Sequence, residues 1–195
     1  MIKFILSGIN SIIPLTGVVT GLVGTTGIFG LGVLLKFTFG TLPVTAGVPS
    51  LLAMLSWSSS THHKTLLYRL ADFLIHILLP AICMIIFMTH PASTDAWPYA
   101  LYWVIPMALW AVRFSTHTSH PFIHALQSTF VAHAVGSVMW VFLIPTSTQQ
   151  WLALIPLVAI ERLTIAAMST VAYQGSRWLW HQYRAPQPHH RALNH

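Results

Sequence analysis

Apolar residues occur in long runs along this chain, and short polar stretches separate the runs. A helix needs about 20 mostly apolar residues to cross a bilayer. Six runs approach that length, and they cover residues 5–30, 39–57, 66–89, 97–113, 122–144 and 150–173. The pattern predicts an all-α integral membrane protein, with about six transmembrane helices in a single bundle.

Composition points to the same class. The chain is 55% hydrophobic and only 6% charged, whereas a soluble domain carries about 25% charged residues. The net charge of +6 results from nine basic and three acidic residues. The basic residues are scattered, so we expect the lipid bilayer and no nucleic acid among the partners. Cys83 is the only cysteine, which excludes an internal disulfide and a cysteine metal cluster.

Basic residues also predict the orientation, because cytoplasmic loops are enriched in Lys and Arg. They recur at alternate ends of the predicted spans, at Lys3, Lys64, Arg113 and Arg177. The loops around Asp95 and Gln149 carry no Lys or Arg. We therefore expect a multi-pass protein of the cell (inner) membrane with both termini in the cytoplasm.

The two ends of the chain differ in character. Residues 5–38 are too long for one span and too short for two, and the alternation of charge favours one. The tail begins as a short amphipathic stretch and then turns polar and Pro-containing. The expected division is a six-helix transmembrane domain over residues 1–175 and an interfacial, flexible cytoplasmic tail over residues 176–195.

The third span carries Arg69, Asp72 and His76, which lie at i, i+3 and i+7 and so share one helix face. We expect Arg69 and Asp72 to pair near the lipid headgroups. His76 lies deeper, and its polar atoms must face protein or a cavity because exposure to lipid is costly.

The fifth span is the most polar. Thr129, His133 and Ser137 follow at i, i+4 and i+8 and form a polar stripe with Trp140 nearby. A second polar face is made by His124, Gln127 and Ser128. A helix that is polar on two sides within a bilayer has to be buried on both, against other helices or a wet pocket.

The sixth span contains Glu161 and Arg162 within an apolar run. Successive helical residues point about 100° apart, so we expect the two charges to face different directions. At least one of them then needs a partner on another helix, and His76, His133 or a polar group of a ligand are the candidates.

The stretch KFTFGTLPVTAGVPSLLAM (36–54) resembles the substrate-binding membrane subunits (S components) of energy-coupling-factor vitamin transporters. In the biotin and folate members, a small-xxx-small first helix precedes a loop and a segment similar to FGTLPVTAG. Gly17 and Gly21 form a small-xxx-small face here, which lets another helix approach closely, within this protein or on a partner subunit. The resemblance implies vitamin uptake, no ATPase within the chain, and either a transmembrane coupling subunit with ATPases or independent action.

The leading hypothesis is therefore a binding and transport protein for a small polar or vitamin-like solute. The solute is expected between the loop at 36–49 and the later spans. The predicted substrate-binding residues are Thr38, Thr41, His133, Trp140, Glu161 and Arg162. A carboxylate on the solute would provide Arg162 with a partner.

Two other functions stay open from the sequence. His76 and His133 are mid-span histidines on different helices, the minimum for a bis-histidine haem b, so a b-type cytochrome or quinone-linked redox subunit is one alternative. A non-catalytic assembly subunit, whose polar groups only join helices, is the other. Neither GxSxG nor a phosphate-binding loop occurs, so an intramembrane hydrolase is unsupported, and we expect no enzyme.

Overall fold

A computed structural model describes residues 48–61, 65–117 and 120–184. Within them the chain forms five long helices and no strand: α1 (Val48–Thr61), α2 (Leu66–Thr89), α3 (97–116), α4 (Pro121–Leu143) and α5 (Thr148–Arg184). The prediction of an all-helical protein is confirmed for this part of the chain. The predictions for the first span, Gly17, Gly21, Thr38 and Thr41 fall outside the described residues.

Helix α2 contains one π-helical turn, Leu74–Leu78, between α-helical segments Leu66–Phe73 and Leu79–Thr89. Pro80 follows this turn and explains it. A proline has no N–H to donate, and its ring clashes with the carbonyl four residues earlier, which here belongs to His76. The wider turn relieves this crowding and lies where His76 enters the protein interior.

Helix α4 is the centre of the bundle, and α1, α2, α3 and α5 all pack against it. It begins at Pro121, one residue before the predicted run, and the His120 side chain accepts a hydrogen bond from the Phe122 N–H. Gly136 of α4 lies against the ring of Pro49. The missing side chain at Gly136 lets α1 approach α4 closely at this point.

Apolar side chains form two buried clusters at different levels of α4. The larger contains Phe87 of α2, Tyr99 and Trp103 of α3 and Trp151 of α5, all fully or almost fully buried. Phe87 meets both tryptophans edge to face, with ring centroids 5.2 Å and 5.0 Å apart. The smaller cluster joins α1, α4 and α5 through Trp57, Ala125 and Ala166.

Three of the described helices are long and apolar enough to cross a membrane: Leu66–Thr89, Pro121–Leu143 and the helix that begins at Thr148. Large apolar side chains cover their outer surfaces, as Leu67, Ile85 and Val171 show with 63%, 63% and 70% exposure. Such a surface suits lipid contact and would be unfavourable in water. Six spans and the orientation of the termini remain predictions.

Helix α5 does not end at the predicted boundary between residues 175 and 176. It has 37 residues, which corresponds to about 55 Å, whereas the hydrocarbon core of a bilayer is about 30 Å thick. Residues 174–183 are all exposed in the bundle. The segment from 176 therefore continues the last helix as far as Arg184, and its position at the membrane interface stays a prediction.

Candidate functional site

Two polar clusters lie inside the helical bundle. The first, called the Arg162 cluster, lies between α3, α4 and α5 and consists of Tyr99, Thr129, His133, Ser137, Glu161 and Arg162. The second, called the Asp72 network, joins α1, α2, α3 and α4 and consists of Ser56, Asp72, His76, Trp110, Arg113 and His124.

Arg162 binds two neighbours in its cluster. Its Nη2 lies 2.8 Å from Oε2 of Glu161, and its Nη1 donates to Oγ1 of Thr129 at 3.3 Å. The side chain of Arg162 is 15% exposed, and that of Glu161 is 50% exposed. Within the described residues, Nε of Arg162 is buried and has no hydrogen-bond partner, so the guanidinium retains an unused donor inside the protein.

The expectation that Glu161 and Arg162 face apart requires correction. Their backbone directions do differ, but both side chains are long and bend toward each other until their charged ends touch. The partner of Arg162 on another helix is Thr129, and neither of the two predicted histidines makes that contact. The helix geometry therefore predicted that Arg162 forms a hydrogen bond to another helix, but it did not identify Thr129 as the acceptor.

The polar stripe of α4 meets α3 at Tyr99. The Tyr99 hydroxyl lies 3.0 Å from Nε2 of His133 and 3.1 Å from Oγ of Ser137. Tyr99 is 2% exposed, so both hydrogen bonds are formed away from solvent. The stripe thus faces other helices, as the sequence predicted, and its third member, Thr129, faces Arg162.

Trp140 lies seven residues beyond His133, two helical turns along the same face of α4. It is 52% exposed, so the indole ring is available to a molecule that approaches this side of the helix. Among the predicted substrate-binding residues in the described part, His133, Glu161 and Arg162 are brought together, and Trp140 lies at the outer surface.

Asp72 is the centre of the second cluster. Its two carboxylate oxygens each accept a hydrogen bond from Nη2 of Arg113 at 2.7 Å, and Oδ2 also accepts from the Trp110 indole N–H at 2.8 Å. Nη1 of Arg113 lies 3.5 Å from Nδ1 of His124. The carboxylate is thus bound by two donors from α3, which fixes α3 against α2.

His76 lies between this carboxylate and α1. Its Nδ1 is 2.8 Å from the Asp72 carbonyl oxygen and 3.0 Å from Asp72 Oδ1. Both neighbours are acceptors, so Nδ1 carries the proton. In a neutral imidazole Nε2 is then an acceptor, and the Ser56 hydroxyl, 2.7 Å away, donates to it.

The structure gives Asp72 a different partner from the one predicted. Arg69 is exposed, and Asp72 binds Arg113, which the sequence had suggested to be a loop charge at the end of a span. Arg113 lies inside α3, three residues before its end, and is 6% exposed. Its position within a helix was the available signal, since a charge there has to find a buried partner.

The two histidines named as alternative haem ligands lie in different clusters. Both ring nitrogens of His76 are engaged with protein groups, and Nε2 of His133 bonds Tyr99. The described residues contain no group of three or more His, Cys, Asp or Glu side chains arranged to hold a metal ion. These contacts do not test haem binding, which stays a prediction.

No family model, curated protein or solved structure matches the chain.

Proposed function

We propose that this chain binds a small polar or vitamin-like solute and carries it across the membrane, as an S component does. The Arg162 cluster is the proposed binding site. By the resemblance, a transmembrane coupling subunit and ATPases are the expected partners if the protein does not act alone.

The observation that supports this proposal best is the state of Arg162. A guanidinium has five N–H donors, and the described contacts of Arg162 involve two of its three nitrogens. The buried Nε has no acceptor in the described residues. A buried donor without a partner costs about 1–3 kcal/mol, and more when the group is charged, so an acceptor supplied by a bound molecule would remove that cost.

The surroundings of Arg162 indicate the kind of molecule. A carboxylate can accept two hydrogen bonds from one guanidinium, which is among the stronger polar contacts in proteins. Tyr99, His133 and Ser137 form hydrogen bonds in the same cluster without a fixed charge. The proposed ring contact, Trp140, lies at the outer surface two helical turns beyond His133. A solute with one carboxylate and further polar groups would use the contacts around Arg162.

The proposal is tested by ligand-induced thermal stabilisation of the purified protein in detergent, with a panel of vitamins and vitamin precursors that carry a carboxylate. At least one compound should raise the melting temperature of the wild type and have a smaller effect on Arg162→Gln and Glu161→Gln. Arg177→Gln is the matched control, because Arg177 lies on the same helix but on its exposed end, over the ring of Tyr173.

One result would contradict the proposed binding site, and another would contradict the proposed function. If both Arg162→Gln and Glu161→Gln retain wild-type binding and uptake, the binding site is elsewhere. An absorption spectrum of the same preparation tests the redox alternative, because a Soret band that disappears in His76→Ala or His133→Ala would replace transport by haem chemistry.

A further inference from the structure

The Asp72 network is a chain of hydrogen bonds that the proposed solute site does not use. It runs from the Ser56 hydroxyl through the His76 imidazole to the carboxylate of Asp72, and the side chains of Ser56 and His76 are both 0% exposed. We propose that this network is an internal proton-binding site, in which His76 takes up and releases one proton at Nε2.

The geometry allows both protonation states without the loss of a hydrogen bond to Nε2. In the neutral state the Ser56 hydroxyl donates to Nε2, because Nδ1 already holds its proton toward Asp72. After protonation, Nε2 donates and the same oxygen accepts, since a serine hydroxyl can do either. The hydroxyl proton can then turn to a backbone carbonyl of its own helix, as serine commonly does in helices.

The charges around His76 also suit a proton. On its own helix Asp72 lies 3.0 Å from Nδ1, and Arg69, on the same face, is exposed. On α3, Arg113 neutralises Asp72, and on α4 the imidazole of His124 faces Arg113. Helix α1 carries no charged residue over Val48–Thr61 and meets Nε2 through Ser56, and the segment Leu79–Thr89 contains Cys83 as its one titratable group.

With a neutral imidazole, the network holds one carboxylate and one guanidinium and has a net charge of zero. One added proton makes it +1 and places the carboxylate between two cations. Intramembrane His and Asp chains of this kind form proton relays in pumps and transporters. The π-helical turn Leu74–Leu78 contains His76, and such turns are frequent at functional sites.

Ser56, His76 and Asp72 are connected in the same atom order as a Ser–His–Asp catalytic triad. A nucleophilic Ser56 is therefore the competing interpretation. A nucleophile has to reach a substrate carbonyl, and Ser56 and His76 are completely enclosed. A proton needs no such space. The burial of both side chains therefore favours proton binding over acyl transfer.

The test is a pH titration of the full-length protein in lipid nanodiscs with ¹⁵N-labelled histidine, observed by NMR. The resonance that is absent from His76→Gln should show the Nδ1–H tautomer at high pH. Across the titration it should convert from the neutral signature to that of imidazolium. A resonance that keeps one signature from pH 4 to 9 would overturn the proposal.

Two variants separate a proton site from a merely structural network. Asp72→Asn removes the neighbouring negative charge and should shift the midpoint of this conversion. Ser56→Ala is a small change that should leave the fold intact and also shift the midpoint, because it removes the hydrogen-bond partner of Nε2. His181 lies on the exposed end of α5 and should titrate identically in all variants. An unchanged midpoint in both variants would contradict the assignment.

A fluorophosphonate probe tests the competing interpretation directly. We expect no label at Ser56, and a covalent adduct there that is lost in His76→Gln would replace the proton site by a nucleophile. The titration is made without solute and can be repeated in Arg162→Gln, so failure of the solute site and failure of the proton site are distinguishable.

Discussion

One guanidinium nitrogen of Arg113, Nη2, lies 2.7 Å from both carboxylate oxygens of Asp72, although 41 residues separate the two along the chain. Asp72 is on α2 and Arg113 is three residues from the end of α3, so their ion pair joins these helices inside the bundle. Both residues are 6% exposed. A charge buried to this degree depends on its partner, because an unpaired charge in the interior is costly.

Removal of Arg113 should destabilise the protein strongly. Arg113→Ala leaves the Asp72 carboxylate buried without its cation, and breaking a buried pair in this way costs about 3–5 kcal/mol. The measurement is the free energy of unfolding in detergent micelles. Arg69→Ala is the control, since Arg69 is exposed, and its effect should be within about 0.5 kcal/mol of zero.

A double-mutant cycle then tests whether the pair acts as a unit. Asp72→Asn combined with Arg113→Gln removes both charges, so its cost should be smaller than the sum of the two single costs. Additive effects would show that Asp72 and Arg113 do not depend on each other and would contradict the described ion pair.

Trp110→Phe removes the second hydrogen-bond donor to Asp72, the indole N–H. The phenyl ring can retain the contacts of Trp110 with Phe73 and Phe114, but the 2.8 Å hydrogen bond to Asp72 is lost. A bond to a charged group contributes about 1.5–3 kcal/mol, so unfolding should become easier by that order. Trp178→Phe, at a position that is 61% exposed, should have little effect, and equal losses in the two variants would be the contrary result.

Tyr99→Phe removes one hydroxyl and with it the hydrogen bonds to His133 and Ser137. The ring stays in place against Phe87 and Trp151. Each neutral bond contributes about 0.5–1.5 kcal/mol, so we expect a lower melting temperature. The matched control is Tyr183→Phe, because Tyr183 is 87% exposed; a similar drop there would argue against the interior contacts of Tyr99.

The close approach of α1 and α4 predicts a size limit at Gly136. A Cβ added at Gly136 would lie 3.6 Å from Cγ of Pro49, an ordinary contact, so Gly136→Ala should be tolerated or stabilise α4 by up to about 1 kcal/mol. Gly136→Leu should destabilise the protein, because the larger side chain would push α1 away. At Gly175 nothing lies within 4 Å, and the Ala and Leu variants should both fold; equal tolerance of Leu at Gly136 would contradict the packing.

Much of the helical structure follows from the sequence alone. The predicted runs 66–89, 122–144 and 150–173 correspond to helices Leu66–Thr89, Pro121–Leu143 and the one beginning at Thr148. The reason is local, because a backbone in lipid has to satisfy its hydrogen bonds within its own segment and so adopts a helix. The burial of the polar residues of α4 follows in the same way, since hydroxyl, amide and imidazole groups cannot remain in hydrocarbon.

The identity of each polar partner is decided only by the tertiary structure. The apolar sequence around Asp72 and Arg162 shows that each charge needs a polar partner within the bundle, but several side chains along the chain could be that partner. The packing of α3 against α2 selects Arg113 for Asp72, and the packing of α5 against α4 selects Thr129 for Arg162. Hydropathy acts on each residue separately, whereas a hydrogen bond depends on the positions of two side chains that distant parts of the chain bring together.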